Sequence, residues 1–285
     1  MKKMIFATLA LALLGSSNAA AQGGLFGGLS NKKVVGSNTY VTKEFYVGEF
    51  TGLSVGGSLN VTYTQQKGKP RVEVHTSDNL VDLLDIRIKD GTLHIGFKKG
   101  YYISYKKLDV QVFGDALSNL NLAGSGNLIL KNGLDTRQPL AVSLAGSGDI
   151  IGGDIFSTNL SLSLAGSGTT KLSKLECTQL KLSLTGSGNI LLQEVTSTST
   201  STSIAGSGNI TLTGTSNSAL YKITGSGDVF ASDYVVDSIE TSITGSGDIK
   251  CHAVKKLKVR TSGSGQVGYK GSPEIDYPQR GLYKL

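Results

Sequence analysis

The sequence is poor in the residues that build metal centres and disulfide frameworks. Its 285 residues contain three histidines, two cysteines, four prolines and no tryptophan. His75, His94 and His252 stand singly, without the spacing of a metal site and without a nucleophilic serine motif nearby. No phosphate-binding loop or dinucleotide fingerprint is present either, because the glycine motifs lie between strands and no helix follows them. The residue types therefore argue against a metalloenzyme, a triad hydrolase and a nucleotide-binding enzyme.

The first 21 residues have the layout of a secretory signal peptide. Two lysines precede an apolar run over 4–14, and three alanines at 19–21 offer a cleavage site before Gln22. The run is too short to span a bilayer as a helix, and no later stretch is long enough, since a span takes about 20 apolar residues. We therefore expect an exported protein in the periplasm, on the outer surface or in the medium. It should have no transmembrane segment and no nucleic-acid partner.

The tripeptide Gly-Ser-Gly recurs eight times at spacings of 18 to 22 residues. Most copies lie just after a Leu or Ile and just before an Asn or Asp. Glycine adopts positive φ without steric cost and lets neighbouring chains approach closely, so each copy is predicted to be a corner between two strands. The predicted corner glycines are Gly124, Gly126, Gly146, Gly148, Gly166, Gly168, Gly186, Gly188, Gly206, Gly208, Gly225, Gly227, Gly245, Gly247, Gly263 and Gly265.

Apolar and small polar residues alternate between the corners, which indicates strands. No single coil of this kind can bury its own apolar face, so the coils must stack. Aligned on the first glycine, the fifth position predicts an inward ladder of Leu128, Ile150, Thr170, Ile190, Ile210, Val229, Ile249 and Val267. The tenth position predicts a second inward ladder of Ile155, Leu175, Val195, Thr215, Tyr234 and Val254. The sequence therefore predicts an all-β fold, a parallel β-helix (solenoid) of about eight coils of roughly 20 residues each.

The remaining segments suggest how the chain is divided. The parts we predict are a signal peptide at 1–21, a flexible leader rich in Gly, Ser and Asn at 22–38, an N-terminal β region continuous with the solenoid at 39–113, the Gly-Ser-Gly β-helix at 114–272, and a C-terminal cap or tail at 273–285.

Two of these parts carry local signals of their own. Within the N-terminal β region, "KDGT" at 89–92 predicts a hairpin turn, and "SVGGSLNV" at 54–61 predicts a degenerate first corner. The stretch "SDNLVDLLD" predicts one or two helical turns. In the tail, Pro273 and Pro278 would interrupt edge pairing of the last coil.

The two cysteines are predicted to remain free thiols. Cys177 is the twelfth residue of its coil, whereas Cys251 is the seventh residue of a coil four repeats later. Four steps of about 4.8 Å place these coils roughly 19 Å apart, whereas a disulfide needs Cα atoms about 4.4 to 6.8 Å apart. A bond between them would therefore contradict the stacking.

Two carboxylates occupy the same corner position in successive coils. The backbones of Asp228 and Asp248 should lie about 4.8 Å apart, a spacing that could serve a carbohydrate-active enzyme or hold calcium. The same position holds Asn or Thr in other copies, as a turn residue would, and no Arg or Lys recurs beside the pair. We therefore expect a structural role without a cofactor, and calcium binding and catalysis are the alternatives.

Basic and aromatic residues cluster in a short segment before the repeat. This tyrosine-lysine patch consists of Lys98, Lys99, Tyr101, Tyr102, Tyr105, Lys106 and Lys107. Its chemistry would suit an acidic glycan or a phospholipid, although lysines on exposed strand edges also serve to block pairing. A second basic group near the end of the repeat consists of Lys255, Lys256, Lys258 and Arg260.

Several stretches together resemble the family known as "putative autotransporter adhesin, head GIN domain". They are "FTGLSVGGSLNVTYTQ", "VEVHTSDNLVDLLDIRIKDGTLHIGF", "LDVQVFGDALSNLNLAGSGNL" and the serial copies of GSGN or GSGD. The resemblance covers about residues 40 to 270. It implies a right-handed β-helix in a secreted or envelope protein, and it brings no catalytic residues with it.

Three functions fit these observations. We favour a non-catalytic binding module of the cell envelope or surface, because the long outer face is polar and rich in Ser and Thr. Such an adhesin would bind glycan, a surface protein or another copy of itself, and the sequence leaves the oligomeric state open. The alternatives are a carbohydrate-active enzyme of the lyase or hydrolase type and a structural spacer of the envelope.

Overall fold

The computed structural model describes residues 32–277 and 281–285 as a β-solenoid of about eight turns. The predicted signal peptide, the first part of the predicted leader and Pro278 lie outside the described residues. One 3₁₀ turn, Asp78–Leu83, falls in the stretch predicted to be helical.

The strands are β1 (Lys32–Val35), β2 (Tyr40–Tyr46), β3 (Gly52–Gly57), β4 (Val61–Gln65), β5 (Arg71–Ser77), β6 (Leu84–Lys89), β7 (Thr92–Phe97), β8 (Tyr101–Ser104), β9 (Leu108–Gly114), β10 (Asn119–Gly124), β11 (Leu128–Leu130), β12 (Leu134–Asp135), β13 (Leu140–Gly146), β14 (Asp149–Phe156), β15 (Asn159–Gly166), β16 (Thr169–Glu176), β17 (Gln179–Gly186), β18 (Asn189–Gly206), β19 (Asn209–Gly225), β20 (Val229–Gly245), β21 (Ile249–Gly263), β22 (Val267–Lys270), β23 (Glu274–Asp276) and β24 (Leu282–Lys284).

The strands form two parallel stacks that are joined by the Gly-Ser-Gly corners. In the first stack β3, β10, β13, β15 and β17 follow one another, and the second halves of β18 to β21 continue it. In the second stack β4, β11, β14 and β16 are continued by the first halves of β18 to β21 and by β22. Apolar side chains from both stacks form one hydrophobic core.

The ladder predicted at the fifth position is confirmed. Backbone pairing places its eight members opposite one another from Leu128 to Val267, and all of them are buried. Each buried aliphatic side chain of this size contributes about 1.5 to 3 kcal/mol to folding. The ladder is therefore a continuous seam that holds the coils together.

The second predicted ladder is wrong at two positions. Val195 pairs with Gly214, which in turn pairs with Tyr234, whereas Thr215 and Val254 are exposed. The coil that begins at Gly206 has 19 residues, one fewer than the coil before it, and β18 has a bulge between Leu192 and Val195 at this point. A slip of one residue turns a strand side chain to the opposite face, so counting from the glycine fails beyond the bulge.

The N-terminal strands extend both stacks. β3 pairs with β10 in a register that places Gly57 opposite Gly124, which confirms the degenerate first corner. On its other side β3 pairs with β7, and β6 returns antiparallel to β7 through the predicted hairpin turn at Asp90 and Gly91, where φ is 51° and 70°. In the second stack β9 pairs with β4, and β5 and β2 follow in antiparallel order.

Candidate functional site

β1 and β8 form a two-stranded parallel ribbon that stands apart from the large sheet. β1 lies in the segment 22–38, which composition predicted to be a flexible leader, so this prediction is wrong for residues 32–35. The chain after β1 is fixed to the 3₁₀ turn, because the Asn79 side chain donates to the Val35 carbonyl at 2.9 Å and accepts from the Ser37 N–H at 2.9 Å. Four backbone pairings and these side-chain bonds position β1.

The ribbon brings two further lysines to the predicted tyrosine-lysine patch. Lys32 pairs with Tyr101 and Lys33 with Tyr102. Tyr102 is 64% exposed and Tyr101 is 37% exposed, so both rings offer surface to a ligand. We call the surface formed by Lys32, Lys33, Lys98, Lys99, Tyr101, Tyr102, Lys106 and Lys107 the basic ribbon.

Tyr105 differs from the other tyrosines of the patch because it serves the scaffold. Its ring packs against Phe97 with 6.0 Å between ring centroids, and its hydroxyl donates to the Ser58 carbonyl at 2.8 Å. Ser58 directly follows the degenerate corner glycine, Gly57. Tyr105 therefore ties the end of the ribbon to the first coil of the solenoid.

The six lysines of the basic ribbon carry charge that is not neutralised. Among residues 32–277 and 281–285 none of them forms an ion pair, and the one side-chain bond that any of them makes is from Lys106 to the Asn38 amide oxygen, at 3.3 Å. Like charges crowded on one surface repel one another, and an anionic ligand relieves this repulsion. The arrangement is therefore suited to binding anions.

The second basic group has a different environment, because carboxylates of adjacent coils neutralise it. Lys255 pairs with Asp237 at 2.8 Å and Lys258 with Glu240 at 2.9 Å. Arg260 pairs with Asp276 at 3.0 Å, and Lys256 lies opposite Glu274 in the sheet. This group is thus part of the stacking, whereas the basic ribbon is left with its charge.

The Gly-Ser-Gly corners combine hydrogen bonds with very close contact between coils. At Gly206 φ is +134°, and a Cβ atom there would lie 2.3 Å from the carbonyl oxygen of Gly186. The N–H groups of Ser207 and Gly208 donate to that same oxygen at 2.9 and 3.1 Å. Any side chain at Gly206 would therefore impose an unfavourable backbone conformation and push two coils apart.

The polar residue after each corner bonds the neighbouring coil. One oxygen of Asp228 accepts from the N–H of Asp248 at 2.7 Å, and one oxygen of Asp248 accepts from the N–H of Gln266 at 2.8 Å. Asn127 accepts in the same way from the N–H of Asp149 at 3.0 Å. The structure thus gives Asp228 and Asp248 a place in a ladder of coil-to-coil hydrogen bonds.

Both cysteines are free, as their register predicted. Burial raises the pKa of the Cys177 thiol to about 11 and that of the Cys251 thiol to about 12. A thiol with a raised pKa is a poor nucleophile and a poor metal ligand at neutral pH, because the thiolate is the reactive form. The two residues therefore fill space in the solenoid and are not prepared for chemistry.

Two further searches of the described ranges bear on function. No group of three or more His, Cys, Asp or Glu side chains within residues 32–277 and 281–285 is arranged to hold a metal ion. In the same part of the chain, no helix has the length and apolar character needed to cross a membrane.

Comparison with known proteins places this arrangement in a family. The family described as "Putative auto-transporter adhesin, head GIN domain" matches residues 49–174 and 172–273, which together are most of the chain. This match confirms the resemblance seen in the sequence, and the family fits an exported or surface protein. No curated protein matches the sequence.

Solved structures share the fold. A "putative adhesin" from Parabacteroides distasonis ATCC 8503 has a TM-score of 0.69 and 24% identity, and the match covers 89% of this chain and 98% of that one. A second, from Parabacteroides merdae ATCC 43184, has a TM-score of 0.67 and 24% identity over 89% and 96% of the two chains. A "putative lipid binding protein" from Parabacteroides distasonis ATCC 8503 is 29% identical, with a TM-score of 0.63 over 86% and 95%.

Proposed function

The chain belongs to the family described as "Putative auto-transporter adhesin, head GIN domain", and we propose that it is an exported, non-catalytic protein that binds an acidic glycan on the basic ribbon. Family membership supports an adhesin-like binding role, since the family and the solved relatives are described as adhesins or binding proteins and not as enzymes. The predicted signal peptide supports export. The choice of ligand depends on the chemistry of the basic ribbon.

One observation carries the proposal. β1 places Lys32 and Lys33 beside Tyr101 and Tyr102, so that lysines distant in sequence form one positive surface without carboxylate partners in the described ranges. Such a surface attracts a polyanion over about 8 to 10 Å at ordinary ionic strength. The exposed tyrosine rings add flat contact area and a hydroxyl, which suits the faces and edges of sugar rings.

The ribbon favours a glycan over a lipid. An acyl chain or a bilayer surface would need a broad apolar area beside the lysines. Among the large side chains that the ribbon exposes, the aliphatic one is Val35, which is 60% exposed, and the others are the two tyrosines. A linear acidic polysaccharide needs repeated positive charges along an extended track, and the two strands supply such a track.

The test measures the affinity of the purified exported protein for an acidic polysaccharide. We would immobilise polygalacturonate and, separately, neutral dextran, and record binding at low and high salt. We expect binding to polygalacturonate that weakens as salt rises, and no binding to dextran through the ribbon. Removing two exposed charges with Lys98→Gln/Lys99→Gln should cost about 1 kcal/mol, or roughly fivefold in Kd.

The matched control is Lys255→Gln/Lys256→Gln, which removes the same net charge from the second basic group. Its affinity for polygalacturonate should stay close to that of the unmodified protein. Equal losses in both double variants would mean that net charge alone is responsible, which contradicts a specific site. Binding to anionic vesicles but not to polygalacturonate would replace the glycan with a lipid, and release of reducing ends from the polysaccharide would revive the enzyme.

A further inference from the structure

A polar groove of about 690 Å³ crosses the outer face of the N-terminal end of the second stack. It runs over β2, β5, β9, β4 and β11, which lie side by side in that order. We call it the flank groove. It shares Lys107 with the basic ribbon, so the two surfaces adjoin.

The first row of the flank groove is centred on a histidine. Thr42, His75 and Asp109 lie opposite one another on β2, β5 and β9. The Thr42 hydroxyl oxygen and His75 Nδ1 are 2.9 Å apart, and the Tyr40 ring stacks on the imidazole with 6.1 Å between centroids. The imidazole is therefore held from two sides, with a tyrosine face at the edge of the groove.

The second row supplies an amide, a carboxylate and a hydroxyl. Glu73, Gln111 and Thr62 lie opposite one another on β5, β9 and β4, and Ile129 continues the row on β11. Arg71 holds the Glu73 carboxylate at 3.0 Å. The two rows are two residues apart along each strand, or about 6.7 Å, and neighbouring strands are about 4.8 Å apart. Polar groups therefore stand on a grid comparable in size with one sugar ring.

The charge in the flank groove is balanced, unlike that of the basic ribbon. Glu73 and Asp109 face Lys107 and Lys131 across the same space. The side chains also differ from those on the outer face of the first stack, where the central row is Ser143, Ser163, Ser183 and Ser203. Short serines offer a single hydroxyl each, whereas the amide, carboxylate and imidazole of the groove can donate and accept at several points.

We infer that the flank groove is a second binding site, for a neutral sugar residue. Sugar hydroxyls both donate and accept hydrogen bonds, which the mixture of Asp109, Gln111, His75 and Thr62 satisfies, and the balanced charge disfavours a net anion. Since Lys107 borders both surfaces, a neutral sugar here would directly neighbour an acidic sugar on the ribbon. In this form the inference rests on the proposed function, because it treats the ligand as a glycan.

The experiment titrates the purified exported protein with neutral oligosaccharides: the trisaccharides of the maltose, cellulose, chitin and mannan series. Binding is followed by calorimetry and by ligand-observed NMR. At least one neutral trisaccharide should bind the unmodified protein. Gln111→Ala removes a donor and an acceptor without touching the core, and it should weaken that binding about tenfold, as should Asp109→Asn.

The ribbon variant Lys98→Gln/Lys99→Gln is the control that separates the two proposals. It should bind the neutral trisaccharide as the unmodified protein does, while its binding to polygalacturonate falls. If no neutral trisaccharide binds, or if Gln111→Ala binds it undiminished, the flank groove is not a sugar site, whatever the ribbon does. If neutral binding is found and depends on Gln111 while polygalacturonate never binds, the groove stands and the acidic-glycan proposal fails.

Discussion

Three glycine positions separate the two reasons for which the corners need glycine. Gly206 has φ of +134° and leaves a Cβ atom only 2.3 Å from the Gly186 carbonyl oxygen. Gly208 has no positive φ, but a Cβ atom there would lie 2.2 Å from the Gly188 carbonyl oxygen. Gly57 has φ of +83° and no atom within 4 Å of a built Cβ. Alanine at these positions therefore tests strain with contact, contact alone and strain alone.

The expected losses in free energy of unfolding follow from these contacts. Alanine at Gly57 should cost about 1 kcal/mol for backbone strain. Gly208→Ala should cost about 1 to 3 kcal/mol, because it overpacks a close contact between coils. Gly206→Ala combines strain of about 1 to 3 kcal/mol with weakening of two hydrogen bonds worth about 0.5 to 1.5 kcal/mol each. Its total of about 2 to 6 kcal/mol is a large part of the stability of an ordinary domain, about 5 to 15 kcal/mol.

Urea denaturation of the three variants and of the unmodified protein measures the order. The midpoints should fall least for Gly57→Ala, more for Gly208→Ala and most for Gly206→Ala. A Gly206→Ala midpoint no lower than that of Gly57→Ala would refute the reasoning, since it would mean that the coils separate at no cost. A Gly208→Ala midpoint equal to that of the unmodified protein would refute the contact argument alone.

Three further predictions concern stability and reactivity. Asp228→Ala should lower the free energy of unfolding by about 1 kcal/mol, since the N–H of Asp248 loses its acceptor, whereas Asp228→Asn should nearly restore it and calcium should leave the melting temperature unchanged. Tyr234→Phe should cost about 1 to 3 kcal/mol in urea denaturation, because its hydroxyl bonds two buried hydroxyls at 2.7 and 2.8 Å that would lose a partner. The thiols of Cys177 and Cys251 should react slowly with a thiol reagent at pH 8 in the folded protein and fast in urea. Because their folded pKa values, about 11 and about 12, exceed the unfolded one, the stability they contribute is complete below about pH 8.5 and should fall as pH rises towards those values; thiols that react at equal rates in both states would contradict their burial.

The sequence was most informative where the repeat itself fixes the structure. The glycine spacing sufficed to predict the solenoid, the first inward ladder and the free cysteines, because pairing between coils follows the repeat. It failed for the second ladder, since the position of a bulge inside a shortened coil depends on packing and not on the glycine. The ion pairs of the second basic group left a readable signal, because Lys255 and Lys258 each follow their partner by 18 residues, the length of that coil.

The candidate sites were less accessible from the sequence, because they depend on pairing outside the repeat. The strand β1 has four residues, and it pairs with a strand almost 70 residues later, so no periodicity indicates it. The flank groove needs the antiparallel order of β2, β5 and β9, which neighbouring sequence patterns do not determine. The tyrosine-lysine patch was visible as a cluster in the sequence, whereas the two lysines that complete it were not.

The most direct test of the account is the affinity of Lys32→Gln/Lys33→Gln for polygalacturonate. These lysines belong to the basic ribbon only if β1 pairs with β8, and in a free leader they would contribute little. The account predicts a loss of roughly fivefold in affinity, similar to that of Lys98→Gln/Lys99→Gln, with an unchanged melting temperature. An affinity equal to that of the unmodified protein would contradict the claim that the ribbon binds the ligand.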